Sequence, residues 1–213
     1  MNTDDPRAEA GAPRGDARDA SEAAPAAQGD AYQRARALAR AAVSDGLLDL
    51  ADARLAAEGP AALSMRRLAN AAGCSTMVFY SAFGTKAGLL AALARREAER
   101  WVDAATTLAD PDPIAWLDAV AAALLAAAGD RPHHRALLFD AEVGGEAVAE
   151  LRAAVLDAVD RTLPGAVEDG VAEAIWAGWV GALAEGDAER FGHVQRGLGR
   201  LWAGYVAGRA PSS

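Results

Sequence analysis

Cysteine, lysine and aromatic side chains are scarce in this sequence of 213 residues. The single Cys74 excludes an internal disulfide framework and a Cys-rich zinc module. Aromatics make up 6% of the chain, β-branched residues are few and period-two alternation is absent, so there is little from which to build a sheet. No apolar run is long enough to span a bilayer: the longest charge-free stretch, Leu68 to Thr85, is broken by Asn, Ser, Thr and Gly. The opening MNTDDPRAEA is acidic, with neither a basic n-region nor an apolar h-region, so no secretion signal is expected, and a cytoplasmic protein without membrane attachment is. Enzyme motifs are missing too. There is no G-x-S-x-G, no phosphate-binding Gly loop, no HExxH and no carboxylate–His cluster at helical spacing, so neither a catalytic residue nor a cofactor is expected.

What the chain has in excess is alanine. Its 58 Ala residues are about half of the 52% counted as hydrophobic. Ala is the best helix former, so the composition points to helices packed closely through small side chains. Charge is uneven along the chain. Residues 1–30 carry a net −4, residues 31–100 a net +4, and residues 101–213 a net −9, which together give the overall −9. The overall acidity argues against nucleic acid, whereas the middle segment taken alone permits it. Residues 1–30 hold almost no large apolar side chain and are expected to form a disordered acidic tail. Residues 31–90 and 91–213 are expected to be two functional zones.

Helix punctuation divides the rest into about nine helices, an all-α fold. An amphipathic pattern over residues 45–58 is closed by Gly59-Pro60. Ser64 caps a short helix ending at Gly73, Ser75 another ending near Phe83-Gly84, and Thr85 a long one reaching about Thr107. Asp112-Pro113 opens the next, which ends at Gly129-Asp130. A short apolar segment over 135–139 precedes helices at about 146–163, 167–184 and 188–207.

Two short helices joined by Gly73-Cys74 have the layout of a helix-turn-helix. At 100° per residue, Met65, Leu68, Ala69 and Ala72 fall in one sector of the first, with Arg66, Arg67, Asn70 and Ala71 opposite. In the second, Val78, Phe79 and Ala82 fall on one side, and Thr76, Met77, Tyr80 and Ser81 on the other. Lys86, the only lysine, opens the following helix, where its ammonium and the free backbone N–H groups together suit a phosphate.

Residues Leu47–Leu90 resemble the DNA-binding domain of the tetracycline-repressor (TetR) family of transcriptional regulators. The resemblance rests on Glu58-Gly59 closing the first helix, Ser64-Met65-Arg66-Arg67-Leu68-Ala69 with Ala71-Ala72-Gly73, Ser75 after the turn, Phe79-Tyr80, Phe83, and Lys86 opening the fourth helix. The C-terminal Trp176–Gly181 stretch, WAGWVG, is similar to the Trp/Gly (WHG-type) signature of one group of C-terminal domains in that family. The resemblance implies a homodimer with an operator-binding N-terminal domain. It also implies a ligand-binding C-terminal domain whose last two helices pair across the dimer. The second short helix departs from the family pattern: Met77 stands where a small residue is usual, and Ser81 and Ala82 where basic or aromatic residues are. It carries no charge, and no Arg, Asn or Gln for bidentate base readout. Base contacts are therefore expected from Thr76, Met77 and Tyr80, beside Ser81, and phosphate contacts from Ser64, Arg66, Arg67, Ser75, Tyr80 and Lys86. Arg34, Arg36 and Arg40, ahead of the first amphipathic pattern, are candidates for a DNA-contacting arm.

In the C-terminal zone, Trp101, Trp116, His133, Phe139 and Trp176 are the candidate lining of a cavity for an apolar or amphipathic small molecule. The adjacent His133 and His134 point about 100° apart on a helix and do not share a metal ion, so no metal site is expected. Phe191, Val194, Leu198, Leu201 and Tyr205 follow a 3-4-3-4 spacing. With Trp179, and with Gly178, Gly181 and Ala182 allowing close approach, they are the expected dimer interface; a bundle seam within one chain is the alternative. The function expected is that of a ligand-responsive regulator, a repressor that leaves a pseudo-palindromic operator when a small molecule binds. The alternatives are a helical ligand-binding or interaction module without specific DNA recognition, and an all-α enzyme using the same cavity.

Overall fold

The chain is described by a computed structural model covering residues 19–108, 110 and 112–209, with side chains from residue 31 onward. Among the described residues there are nine α-helices, one 3-10 turn and no strand. The helices are α1 (Asp19–Glu58), α2 (Met65–Ala72), α3 (Thr76–Phe83), α4 (Lys86–Thr106), α5 (Pro113–Asp130), α6 (Pro132–Leu138), α7 (Gly145–Thr162), α8 (Val171–Glu185) and α9 (Ala188–Arg209). The chain separates into two units, residues 1–43 and residues 44–213.

In the first unit, α1 begins at Asp19, well before the expected start at residue 45. Of the expected tail, residues 1–18 lie outside the described residues, and residues 19–30 are helical. A helix needs only local hydrogen bonds, and the Ala residues at 23, 24, 26, 27 and 31 favour it by their intrinsic propensity. Arg34, Arg36 and Arg40 are therefore helical residues, not a loose arm, and all three are exposed.

In the second unit the expected boundaries hold to within a few residues, because the stop signals are strong. The α1 helix closes at Gly59, whose N–H donates to the Leu55 carbonyl, and Pro60 starts the 3-10 turn. One continuous core runs through α1 to α9. Among α1 to α4 it buries Leu47, Leu48, Ala51 and Leu55 of α1, Leu63, Met65 and Leu68, Phe79 of α3, and Leu89 and Leu93 of α4. Among α4 to α9 it holds five tryptophans, each nearly or fully removed from water. Buried indole N–H groups need acceptors. Trp101 donates to Glu97, Trp116 to the Leu108 carbonyl, Trp179 to Gln195 and Trp202 to the Pro113 carbonyl. Helix α5 is long and apolar enough to cross a membrane by length and composition, a run the charge-free criterion missed because Asp118 interrupts it. Here its Trp116, Leu117, Val120, Ala121 and Leu124 are buried within the chain's own bundle.

The expected dimer seam packs largely inside this core. Trp179, Phe191 and Leu198 are buried, Val194 and Tyr205 half-buried, and only Leu201 is exposed, at 68%. The apolar stripe of α9 continues from Leu198 to the buried Trp202 instead of Leu201, four residues on rather than three, and so turns toward α5 and α8. Gly178 admits this stripe: a Cβ there would lie 2.9 Å from Leu198 Cδ1 and 3.1 Å from Val194 Cγ1.

Gly88 has an equally specific cause. A Cβ at this position would stand 2.1 Å from the Phe83 carbonyl oxygen, so the sharp corner between α3 and α4 requires glycine. Gly88→Ala should lower stability by about 2 kcal/mol through this backbone clash, read as a fall of about 4–8 °C in Tm by differential scanning calorimetry. Gly46→Ala, at an exposed helical site with open space around its Cβ, should instead raise stability by up to about 1 kcal/mol. Equal effects of the two changes would contradict this account of the corner.

Candidate nucleic-acid interface

Gly73 makes the turn between α2 and α3 in the left-handed conformation, φ 66° and ψ 27°. The Cys74 N–H then donates to the Ala69 carbonyl at 3.0 Å, closing α2. This geometry fixes which side of each helix faces the core. Leu68, Ala69 and Phe79 go inward, while Arg66, Arg67, Asn70, Ser75, Thr76, Met77, Tyr80, Ser81 and Lys86 are exposed. Ala72, expected inward, is exposed as well, because α2 ends there and the chain turns away at Gly73. Val78 and Ala82 are half-buried beside Phe79.

The surface so formed has a large apolar element in its middle. Met77 is 71% exposed and Tyr80 46%, one helical turn apart on α3. Exposing them is unfavourable unless another surface covers them. Around them stand Arg66 and Arg67 of α2 and Lys86 at the first position of α4. From residue 59 to residue 94 the sequence contains these three cations and no carboxylate. Among the described residues none of the three has a carboxylate partner, so their charge is available at the surface.

The hydroxyl groups divide by task. Ser64 is the N-cap of α2, its Oγ accepting from the Arg67 N–H at 3.2 Å, and it is half-buried. Thr85 caps α4 in the same way, accepting from the Gly88 N–H at 3.0 Å. Ser75, the N-cap residue of α3, makes no side-chain cap bond, so among the described residues its hydroxyl has no partner, while the Val78 N–H donates to the Ser75 carbonyl at 3.1 Å. Asn70 was not among the expected contacts, yet its amide lies on the same exposed side as Arg67, and both line a recess of about 420 Å³ that reaches back to Arg54 and Glu58. Its position opposite Leu68 was legible from the helical period; its role was not.

The expected ligand-lining residues are not gathered around one cavity. Trp116 lines a recess of about 500 Å³ with Thr106, Leu108, Asp110, Ala158, Arg161 and Thr162. Trp101 is buried edge-on against Phe139, with ring centroids 5.6 Å apart, and Trp176 is a core residue of α8. His133 is exposed and borders Gly59, whose Cβ would meet the imidazole at 3.2 Å; its neighbour His134 is the buried one. The adjacency of the two histidines at the start of α6 forces them apart, so only one could enter the interior, and the sequence did not say which. No group of three or more His, Cys, Asp or Glu suited to a metal ion occurs among the described residues.

Comparison with known proteins bears on the α1–α4 segment directly. Residues 47–93 match the sequence model for bacterial regulatory proteins of the tetR family. Among solved structures, the regulatory protein SCO4313 is similar in fold, with a TM-score of 0.51 and 24% identity over 78% of this chain and 97% of its own. The TetR family transcriptional regulator PfmR from Thermus thermophilus gives a TM-score of 0.48 and 23% identity over 73% of this chain and 95% of its own. No curated protein matches the chain.

The two serines should separate in experiment. Ser64→Ala removes a helix cap and should lower stability by about 1 kcal/mol, measured by urea denaturation. Ser75→Ala removes no hydrogen bond seen here and should leave stability within about 0.5 kcal/mol. A loss at Ser75 as large as that at Ser64 would show that its hydroxyl is engaged within the fold.

Proposed function

We propose, from the tetR-family helix-turn-helix that this chain carries at residues 47–93, that it is a DNA-binding transcriptional regulator acting as a homodimeric repressor in the cytoplasm. The observation that carries the reading is the composition of one surface: an outward Thr76, Met77, Tyr80 and Ser81 flanked by Arg66, Arg67, Ser75 and Lys86. Cations and helix N-termini suit phosphates and fix register, while side chains reaching base edges confer sequence preference. With no charged or amide side chain on α3, Met77 and the Thr76 methyl would meet thymine methyl groups, and the Thr76 and Tyr80 hydroxyls would form single hydrogen bonds. The reading is that of a binding protein rather than an enzyme.

Two such units on a symmetric dimer would enter successive major grooves of a pseudo-palindromic operator, roughly 34–36 Å apart. The surface left open for a second copy is the outer side of α8 and α9. There Ala174, Ala177 and Gly181 of α8 are exposed, as are Leu201, Gly204 and Gly208 of α9. The three glycines have open space where a Cβ would be, which permits close helix approach around Leu201. For the effector, the recess beneath Trp116 offers an aromatic wall with Asp110 and Arg161 on its lining, and about 500 Å³ falls within the range of small-molecule sites. An apolar or amphipathic ligand there would induce release if it bound tighter to the form that fits DNA poorly; operator and ligand must then weaken each other by the same factor. The exposed Arg36 and Arg40 of α1 are further candidates for phosphate contact, since both extend the basic segment toward the N-terminus.

Fluorescence anisotropy with a duplex from the region upstream of the chain's own gene tests the assignment of roles. Lys86→Ala should weaken binding to all sequences and lower the slope of log K against log salt by about one unit. Tyr80→Ala should weaken operator binding about ten- to a hundredfold, from the loss of about 1–3 kcal/mol of base contact, and affect random DNA far less. Equal loss on both DNAs would reduce Tyr80 to a phosphate contact.

A further inference from the structure

Between α1, α4 and the start of α6 lies a group of charged side chains that the DNA-facing surface does not use. Glu97 of α4 is 2% exposed and His134 of α6 is 1% exposed. Arg131, in the one-residue link between α5 and α6, stands between them and α1. Its Nη1 donates to Glu97 Oε2 at 2.8 Å, and its Nη2 donates to Asp52 Oδ2 of α1 at 2.6 Å. The same Nη2 lies 2.5 Å from His134 Nε2, which is in turn 3.1 Å from Asp52 Oδ1. Arg100 of α4 adds a second, more exposed cation, 3.7 Å from Asp52 and 4.0 Å from Glu97. The other oxygen of Glu97 accepts the indole N–H of Trp101 at 3.0 Å. One turn away, Arg96 of α4 pairs with Asp49 of α1 at 2.5 Å.

His134 Nε2 stands between a guanidinium, which only donates, and the Asp52 carboxylate, which only accepts. The shorter contact, 2.5 Å to Arg131 against 3.1 Å to Asp52, favours Nε2 as an acceptor. In that assignment His134 is neutral with its proton on Nδ1, which is buried and has no hydrogen-bond partner among the described residues. Protonating the ring would put an N–H where Arg131 now donates and place a second cation beside it. Burial and then the neighbouring Arg131 charge hold the His134 pKa below its ordinary 6.5, against the opposing pull of Asp52 and Glu97. Those three groups, with Arg100 behind the carboxylates, are the charges that face the ring. A base with a depressed folded pKa binds fewer protons when folded, so this arrangement is retained above the ordinary value and weakens as pH falls below it.

We propose that Arg131 is the positioning residue that ties α1, and through it the DNA-facing helices, to the α4–α6 part of the C-terminal bundle, with neutral His134 as its proton-dependent acceptor. This rests on the DNA-binding reading given above. Arg131 touches all three elements at once, with hydrogen-bond-length contacts to Glu97 of α4, Asp52 of α1 and His134 of α6. It is held by the chain direction at the α5–α6 link, so a shift of α5 or α6 moves the guanidinium, and Asp52 with it. Through Glu97 the same link reaches Trp101 and, edge-on, Phe139. Two discrete arrangements of this cluster, joined or parted, would give two settings of α1 to α3 relative to the bundle.

The test uses the full chain with Arg131→Lys, which keeps a cation beside the buried carboxylates but cannot bridge them in a fork. Hydrogen exchange should rise at least about fivefold across residues 44–83, the lower end of typical coupling between sites, and stay unchanged in α7 to α9. Uniform acceleration across the whole chain would mean that Arg131 serves general stability, and unchanged exchange that it positions nothing; either overturns the proposal. Affinity for the upstream duplex should fall about tenfold in the same variant. Wild-type affinity should hold above about pH 6.5 and fall as pH drops below it. The fall should vanish in His134→Gln, whose neutral amide still accepts from Arg131, and persist in His133→Gln. Identical profiles in wild type and His134→Gln would remove His134 from the proposal. If the wild-type chain shows no preference among DNA sequences, the functional reading fails, and the exchange measurement still decides whether Arg131 positions α1.

Discussion

The burial of Leu68 and Phe79 against α1 and α4 is the interaction on which the remainder of the structure depends. Both are fully removed from water, and each contributes roughly 1.5–3 kcal/mol by that removal. Helical periodicity then leaves no choice about the opposite sides. Once Phe79 is inward, Thr76, Met77 and Tyr80 point outward; once Leu68 is inward, Arg66, Arg67 and Asn70 do. The left-handed Gly73 and the tight Gly88 corner set the angles at which these sides meet. The exposed surface is thus a consequence of the core, and its chemistry, an apolar and hydroxyl-bearing α3 next to helices carrying three cations without a carboxylate partner among the described residues, follows from what the core excludes.

Charge follows the same logic on a larger scale. A net −9 is a poor guide to partners when carboxylates are absent from residues 59–94 and concentrated elsewhere. Long-range repulsion from the acidic bundle disfavours indiscriminate association with a polyanion, whereas contacts inside a Debye length depend on the local cations. Such a chain would need shape and base contacts in addition to charge in order to bind. An uncharged α3 makes that demand sharper, since Met77 and Tyr80 must supply preference through apolar contact and single hydrogen bonds.

Much of the fold was legible in the sequence because its punctuation is strong. Ser64, Ser75, Thr85 and Asp112 each stand at a helix start, and Gly59, Gly73 and Gly84 each follow a helix end. Which residues of α2 and α3 face outward was legible from the helical period, with Ala72 the exception. What was not legible depended on long-range contact. The period of α9 allowed either Leu201 or Trp202 to continue its stripe, and only packing against α5 and α8 selects Trp202. The start of α1 was hidden because an Ala-rich helix can form without an apolar stripe to mark it. Of the aromatic residues expected around one cavity, Trp101 and Phe139 lie edge to face while Trp116 borders a different recess, since composition counts them without saying which face each shares. The Asp52–Glu97–Arg131–His134 cluster joins positions up to 82 residues apart, and no local pattern announces it.

The central claim is that the surface of α2 and α3 reads sequence as well as charge. The most direct measurement is the affinity of the wild-type chain for a duplex from its own upstream region, against a scrambled duplex of equal length and composition, as salt is raised. The account predicts a preference of at least about a thousandfold, maintained while both affinities fall with salt. Equal affinities for the two duplexes across the salt range would contradict it.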